Sequence, residues 1–367
     1  MGDAHRIGVV GLGVISRAYL DTLVGHRAVR VTAVADLDAS RSAAVAAELP
    51  GVRALSVEEL LSSPDVDTVL NLTVPAAHAQ IALGAIGHGK HVYGEKPLAA
   101  ELTDARTVLD AAAKAAVGVG CAPDTVLGTG VQTARAAVES GAVGRPLFAS
   151  AAMVTPGHER WHPHPDFYYT AGGGPLLDMG PYYLSSLVHL LGPVRAVIGA
   201  SSRLRPERVI GSGPRTGERI PVEVDSHVSG VLEHEGGALT TITTSFDGVA
   251  TTAAPIEVHG ERGTLSVPDP NNFDGEVQLL ELGAGEKGWR TLPPSAGYAG
   301  AARGVGLLDF VAADGRRAPR ASGELALHVL ETMTALLRSS AEGRRIELTT
   351  SVERPAPVPL TPPQEWR

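Results

Sequence analysis

One cysteine, Cys121, in 367 residues excludes an internal disulfide framework and any multi-thiolate zinc or iron–sulfur site. No basic cluster is present: 31 Lys+Arg against 40 Asp+Glu leave a net charge of -9 spread along the chain. That balance argues against a nucleic-acid partner. No apolar run approaches the ~18 residues of a membrane span. The opening residues, MGDAHRIGVVGLG, lack a charged n-region followed by an apolar h-region, so a cytoplasmic protein without a membrane partner is expected. At 44% hydrophobic and 19% charged, the composition suits a globular chain with a sizeable core, not a disordered one. The length is about twice a ~150-residue domain, which predicts two domains.

The first third alternates strands with helices. RIGVV (6–10), VRVTAVAD ending at Asp36, the strand 67–72, HVYGE (91–95) and VGVGC (117–121) are near-continuous apolar strands. Helical stretches of 10–15 residues separate them, the pattern of βαβ units around a parallel sheet covered on both faces. A doubly wound Rossmann domain is expected over 1–122. After Cys121 the rhythm changes. Asp124 is placed to cap a helix, a strand follows at 147–154, and a Gly172-Gly173-Gly174 turn leads into a helix near 178–191. Beyond it HVSGVLEHE and ALTTITTSF flank Gly236-Gly237, and IEVHG and GTLSV flank Glu261-Arg262, both hairpin signals. Residues 203–220 read as a loop or flap, and a Pro-rich tail (355–363) as a surface wrap. The second domain, 123–367, is therefore expected to be α/β with a large, mostly antiparallel open sheet.

The first chemical signal is Gly11-Leu12-Gly13-Val14-Ile15-Ser16, between a strand and a helix. Gly11 can make the tight turn, and Gly13 lets the backbone approach a pyrophosphate at the helix N-terminus. Ser16 replaces the third glycine and is small enough for close helix–strand packing. Asp36, 25 residues after Gly11, stands where a carboxylate would bind ribose hydroxyls and repel a 2′-phosphate. Asp38 adds charge and Arg41 offsets it. NAD is therefore expected, ahead of NADP.

Lys96 follows the strand HVYGE within Gly94-Glu95-Lys96-Pro97, at a strand end that faces the ligand crevice of an α/β sheet. Pro97 biases it away from helical geometry and allows a cis bond. By spacing alone Lys96 reads more readily as a solvated surface residue. In Gly172–Tyr183, Pro181 is expected in the first helical turn, with Asp178 at or near the N-cap and Tyr182 one turn on. Asp178 is then either a cap or a functional acid, and Tyr182 either a core aromatic or a proton carrier.

Together these motifs resemble the Gfo/Idh/MocA oxidoreductases, relatives of glucose–fructose oxidoreductase and inositol dehydrogenase. The likeness spans almost the whole chain, including Arg316–Glu324 before the late helix. It implies hydride transfer at a carbinol of a sugar, cyclitol or derivative, and an open sheet that forms subunit interfaces in a homodimer or homotetramer. It also implies that Lys96 is the active-site lysine and Asp178 the family's carboxylate. Tyr182 stands where many members have histidine. Tyrosine, with an ordinary pKa near ~10, is a ready acid and a poor base unless a cation such as Lys96 lowers it. Thr73, Pro75 and His78 resemble the family's T-x-P-x-x-H segment along the dinucleotide, and Glu95 joins that set. For His78 the other reading is a capping or core histidine.

The loop His158–Tyr169 holds three histidines within seven residues. Its prolines scatter side-chain directions and the chemistry needs no metal, so no metal is expected. A sugar site is the better reading, with Trp161, His162, His164 and Tyr168 joining Lys96, Asp178 and Tyr182 around substrate. Asp124 either faces the cleft or caps its helix. Two competing functions remain on sequence grounds: a glycosidase-like lyase using transient oxidation by NAD, and a non-catalytic dinucleotide sensor.

Overall fold

The computed structural model describes residues 4–283, 288–313 and 317–367; Arg316 lies outside them. In chain order the first elements are β1 (His5–Val10), α1 (Ser16–Leu23), β2 (Val29–Ala35), α2 (Ala39–Glu48), β3 (Arg53–Ala54) and α3 (Val57–Ser62). They continue with β4 (Thr68–Asn71), α4 (Pro75–Gly87), β5 (His91–Gly94), α5 (Leu102–Ala115) and β6 (Val119–Cys121). The six strands form one sheet in the order β3-β2-β1-β4-β5-β6, parallel throughout. Ile7, Val9, Val34, Val69, Leu70 and Val92 are buried in it, as expected for a sheet covered on both faces. The order reverses between β1 and β4, the place where open α/β sheets bind ligands.

Next come α6 (Thr129–Glu139), β7 (Pro146–Val154), α7 (Pro175–Leu191), β8 (Val194–Ser202), β9 (Glu207–Val209), β10 (Arg219–Pro221), β11 (His227–His234) and β12 (Leu239–Ser245). They are followed by β13 (Ile256–Gly260), β14 (Gly263–Val267), β15 (Val277–Glu281), β16 (Arg290–Leu292), α8 (Val305–Ala313), α9 (Gly323–Glu342), β17 (Ile346–Glu347) and α10 (Pro363–Trp366). Nine of these strands make a second sheet, β16-β15-β14-β13-β7-β12-β11-β8-β17, antiparallel except where β7 pairs with β12. Both hairpins expected from sequence, β11–β12 and β13–β14, are present. One face buries Ala149, Ala151, Met153, Val228, Leu232 and Ile242. The helices can come close because Gly199 leaves room: a Cβ there would sit 2.2 Å from the Leu336 carbonyl oxygen of α9. The other face carries small polar residues and the exposed Phe148, Ile198 and Leu239.

Two compact units result, and no single cut divides them. The first is 1–128 with 298–327 and 361–367; the second is 129–297 with 328–360. The division expected at 122/123 therefore shifts, because β6 and the residues after it pack with the returning chain: Cys121 N–H donates to Ala321 O (3.0 Å) and Tyr298 N–H to Leu127 O (3.0 Å). The tail 355–363 runs at the surface as expected, with one buried anchor in it and another beyond it. Val358 is buried with its N–H on Gln132 Oε1 (3.1 Å), and Trp366 donates from Nε1 to Ala299 O (2.9 Å).

Residues 203–220, read as a loop or flap, hold an unexpected pair of short antiparallel strands, β9 and β10. Two local expectations are corrected. Asp124 makes no side-chain cap; a 3₁₀ turn, Thr125–Leu127, intervenes and α6 starts at Thr129. The helix of Asp178 starts at Pro175, with Gly174 (φ 93) before it, so Asp178 is not the N-cap and Pro181 lies inside the helix. Pro175 fits the first position because its missing N–H would be unpaired there in any case.

Candidate active site

In the first unit, Gly11 has φ 93, and a Cβ on it would lie 2.6–2.7 Å from the backbone of Leu72 and Thr73. Only glycine lets the end of β1 pass so close to the end of β4. Gly13 differs: a Cβ there would meet nothing within 4 Å. Ser16 is buried, and its hydroxyl donates to Gly13 O (2.7 Å), which locks the turn into α1. Ile15 at the N-cap provides no side-chain cap, and Val14 is 99% exposed. A groove of about 720 Å³ opens beside this loop, with Leu12, Gly13, Val14, Arg17 and Arg41 among its lining residues.

Asp36 closes the loop from β2. Its Oδ2 accepts from Leu12 N–H (2.7 Å) and its Oδ1 from Asp38 N–H (2.9 Å). Arg41, largely exposed, sits 4.0 Å from Asp36 and 3.6 Å from Asp38. Asp38 caps α2 through Ser40 N–H, and its hydrogen bonds from Ser40 hold its carboxyl below the usual range.

Beyond β4, Asn71 Oδ1 accepts from Thr73 Oγ1 (2.6 Å), and Pro75 opens α4. His78 is 2% exposed; its ring nitrogens face Pro97 O (2.6 Å) and Thr73 O (2.9 Å). The structure thus places His78 as a brace between the Thr73 turn and the lysine segment. The Lys96-Pro97 bond is cis. Glu95 is held from two sides: Tyr19 of α1 donates its phenol O–H to Oε1 (2.7 Å), and Lys96 N–H donates to Oε2 (3.1 Å). Burial, reinforced by Glu95, raises the Tyr19 pKa well above its ordinary value, so the phenol stays a donor. Sequence reasoning missed Tyr19, whose position in α1 carries no motif.

Asp124 is fully buried in this unit. Oδ2 accepts from Gly304 N–H (2.8 Å) and Gly306 N–H (3.2 Å), and Arg303 lies 3.4 Å from Oδ1. Burial raises its pKa, against the pull of Arg303. It pins the chain entering α8, which neither a cap nor an open cleft residue would do.

In the second unit, Asp178 and Tyr182 lie one turn apart on α7. Asp178 Oδ2 is 3.0 Å from His158 Nε2. Tyr182 is 7% exposed. Of the loop candidates, Trp161, His162 and Tyr168 gather around one another: Trp161 and His162 rings are 5.4 Å apart, His162 and Tyr168 5.6 Å. Trp161 and Phe167 are 59% and 55% exposed, a wide aromatic surface. Burial lowers the pKa of His162. His164 is exposed and enters through its backbone, donating N–H to His162 Nδ1 (3.1 Å). Among the described residues no group of three or more His, Cys, Asp or Glu is placed to hold a metal ion. Nor is any helix among them long and apolar enough to cross a membrane.

Comparison with known proteins gives a consistent result. Residues 5–122 match the oxidoreductase family with an NAD-binding Rossmann fold, and residues 131–266 match the GFO/IDH/MocA C-terminal domain. The chain is 30% identical over 369 residues to the 1,5-anhydro-D-fructose reductase of Ensifer adhaerens, covering 95% of this chain and 100% of that protein. It is 28% identical over 289 residues to the myo-inositol 2-dehydrogenase of Thermotoga maritima, covering 78% and 81%. A solved NAD-binding oxidoreductase from Klebsiella pneumoniae shares the fold, with a TM-score of 0.82, 24% identity and 95% and 100% coverage.

Proposed function

The chain belongs to the Gfo/Idh/MocA oxidoreductases, dehydrogenases and reductases of CH–OH groups, and from that premise we propose its reaction. It moves a hydride between NAD and a ring carbinol, or the matching ketone, of a sugar, cyclitol or glycoside. The observation that carries this reading is that Gly11, Asp36, Thr73, Glu95 and Lys96 all lie just beyond the carboxyl ends of β1, β2, β4 and β5. Ligands of an open α/β sheet bind at that edge.

The residues fit a dinucleotide. The open space at Gly13 admits a pyrophosphate, and the uncapped N-terminus of α1 favours its charge. Asp36 is oriented by two backbone N–H donors to receive ribose hydroxyls, with Arg41 at its edge. When bound, NAD supplies the hydride acceptor. Lys96 provides a cation for the alkoxide-like charge, and Tyr182 gives or takes the hydroxyl proton. Asp178 orients a substrate hydroxyl, with Trp161, His162 and Tyr168 offering faces and edges for a sugar ring. The exposed face of the second sheet serves as the contact of a homodimer or homotetramer, because Phe148, Ile198 and Leu239 would otherwise remain wet on a flat surface.

A spectrophotometric panel of sugars, cyclitols and glycosides with NAD and NADP tests the reading. Reduction of NAD, with catalytic efficiency above that for NADP and a gap that narrows in Asp36→Ala, is expected. A tenfold preference for NADP, about 1.4 kcal/mol, overturns the cofactor choice. Release of aglycone without net NADH would establish lyase chemistry instead, and dinucleotide binding without turnover of any substrate a sensor. Light scattering at micromolar concentration should show no monomer.

A further inference from the structure

His158 lies on a 3₁₀ turn after β7, twenty residues before Asp178, and its Nε2 is 3.0 Å from Asp178 Oδ2. The side chain is only 11% exposed and its ring is enclosed by Phe246 (4.5 Å between centroids), Tyr168 (4.6 Å) and Trp161 (5.2 Å). The adjacent residue is anchored independently of α7. Glu159 accepts from the Tyr169 hydroxyl, lies 3.4 Å from Arg208 Nη1, and its carbonyl accepts from Gly211 N–H (2.7 Å). Arg208 is itself buried, packs 5.3 Å from the Tyr169 ring, and reaches Asp247 beyond the end of β12 (2.5 Å). The backbone that carries the imidazole is therefore anchored to Arg208 of β9 through Glu159, and the ring itself meets α7 through Asp178. The pair is not a capping device, because no side chain caps α7 and Asp178 N–H already bonds Gly174 O (3.1 Å).

We propose that His158 is the positioning residue of Asp178. It donates from Nε2 to Oδ2, which stops rotation of the carboxylate while a substrate hydroxyl is engaged. A carboxylate on the first turn of a helix otherwise samples several rotamers, and misplacement by about 1 Å can cost ~10²-fold in rate. The proposal rests on the reading of Asp178 as a substrate-facing group, so its test has one arm that does not depend on turnover.

In that arm, imidazole ¹⁵N–¹H spectra of the full chain should show a downfield Nε2–H signal for His158 that Asp178→Asn displaces. In the kinetic arm, His158→Leu keeps the packing and removes the donor. It should lower kcat for the best sugar or cyclitol by roughly 10- to 100-fold while dinucleotide Kd stays within about twofold. His158→Gln, whose amide reaches the Nε2 position, should recover kcat to within about fivefold of wild type. Should the leucine variant not fold, His158→Asn, whose amide falls short, takes its place. An Nε2 signal indifferent to Asp178→Asn overturns the proposal, as does a glutamine variant as damaged as leucine or a leucine variant with normal kcat. Failure of every sugar and cyclitol to react sinks the functional reading instead, and the spectra still decide the pair.

Discussion

Lowering the pH from 7.5 to 5 should destabilise the second unit through one buried imidazole, His234. It is fully buried at the end of β11, with Nδ1 2.8 Å from Gly192 O and Nε2 2.9 Å from Thr240 Oγ1. The neutral tautomer satisfies both contacts: Nδ1–H donates to the carbonyl and Nε2 accepts from the threonine. Burial, with His328 adding to it, lowers the pKa from 6.5 to about 4. A depressed histidine pKa means that the unfolded chain binds more protons between those values. Stability is therefore complete above about 6.5 and is lost as pH falls toward 4. At ~1.36 kcal/mol per pKa unit, the loss from this group is about 2 kcal/mol at pH 5 and about 3 kcal/mol at pH 4. His328 of the same unit is shifted in the same direction by burial and adds to the slope. Carboxylates held low, such as Asp67 and Glu331, act only below about 4.5, their ordinary range. The histidine window is thus separable from theirs. Urea unfolding followed by circular dichroism at pH 7.5, 6 and 5 should compare wild type with His234→Asn, which keeps a donor toward Gly192 O. The variant should be weaker at pH 7.5 by about 1–2 kcal/mol, from the lost Thr240 contact and ring volume. Between pH 7.5 and 5, however, it should lose about 2 kcal/mol less than wild type. Parallel pH profiles for the two proteins would refute the assignment.

Arg208→Met should cost about 3–5 kcal/mol by urea unfolding, since it strands Glu159 and Asp247, and the double variant with Glu159→Gln should recover part of that. A loss below 1 kcal/mol would mean Arg208 is not an ionic anchor. Tyr182→Phe keeps the ring packing and should lower kcat by roughly 10²–10⁴-fold with dinucleotide Kd unchanged, and Lys96→Ala should be at least as harmful. Near-normal kcat in Tyr182→Phe would make it a core aromatic. Gly11→Ala should abolish dinucleotide binding by calorimetry, because the Cβ collides with the backbone at Leu72; retention within tenfold would contradict that contact.

The sequence alone determined what depends on backbone geometry and local period. The five apolar strands β1, β2, β4, β5 and β6, the turn at Gly11, the acid closing β2, the lysine after β5 and the two hairpins are all written in residues close together in the chain, whereas the short, exposed β3 carries no such pattern. Glycine at φ > 0 and strand alternation are local constraints, so they survive without knowledge of the chain path. Helix starts were less legible, because Pro175 and Pro181 both satisfy the rule for a first turn and only packing selects the earlier one. Side-chain partnerships across long stretches of chain were decided by tertiary structure. Asp124 looked like a cap until the 303–306 segment, 180 residues away, returned to present its N–H groups. His158 looked like one of three loop histidines until α7 brought Asp178 to its Nε2. Arg208 looked like part of a surface flap until β9 turned it inward onto Glu159 and Asp247. Burial converts each of these polar groups from a solvated side chain into one that must find a partner, and which partner it finds depends on the path of the whole chain.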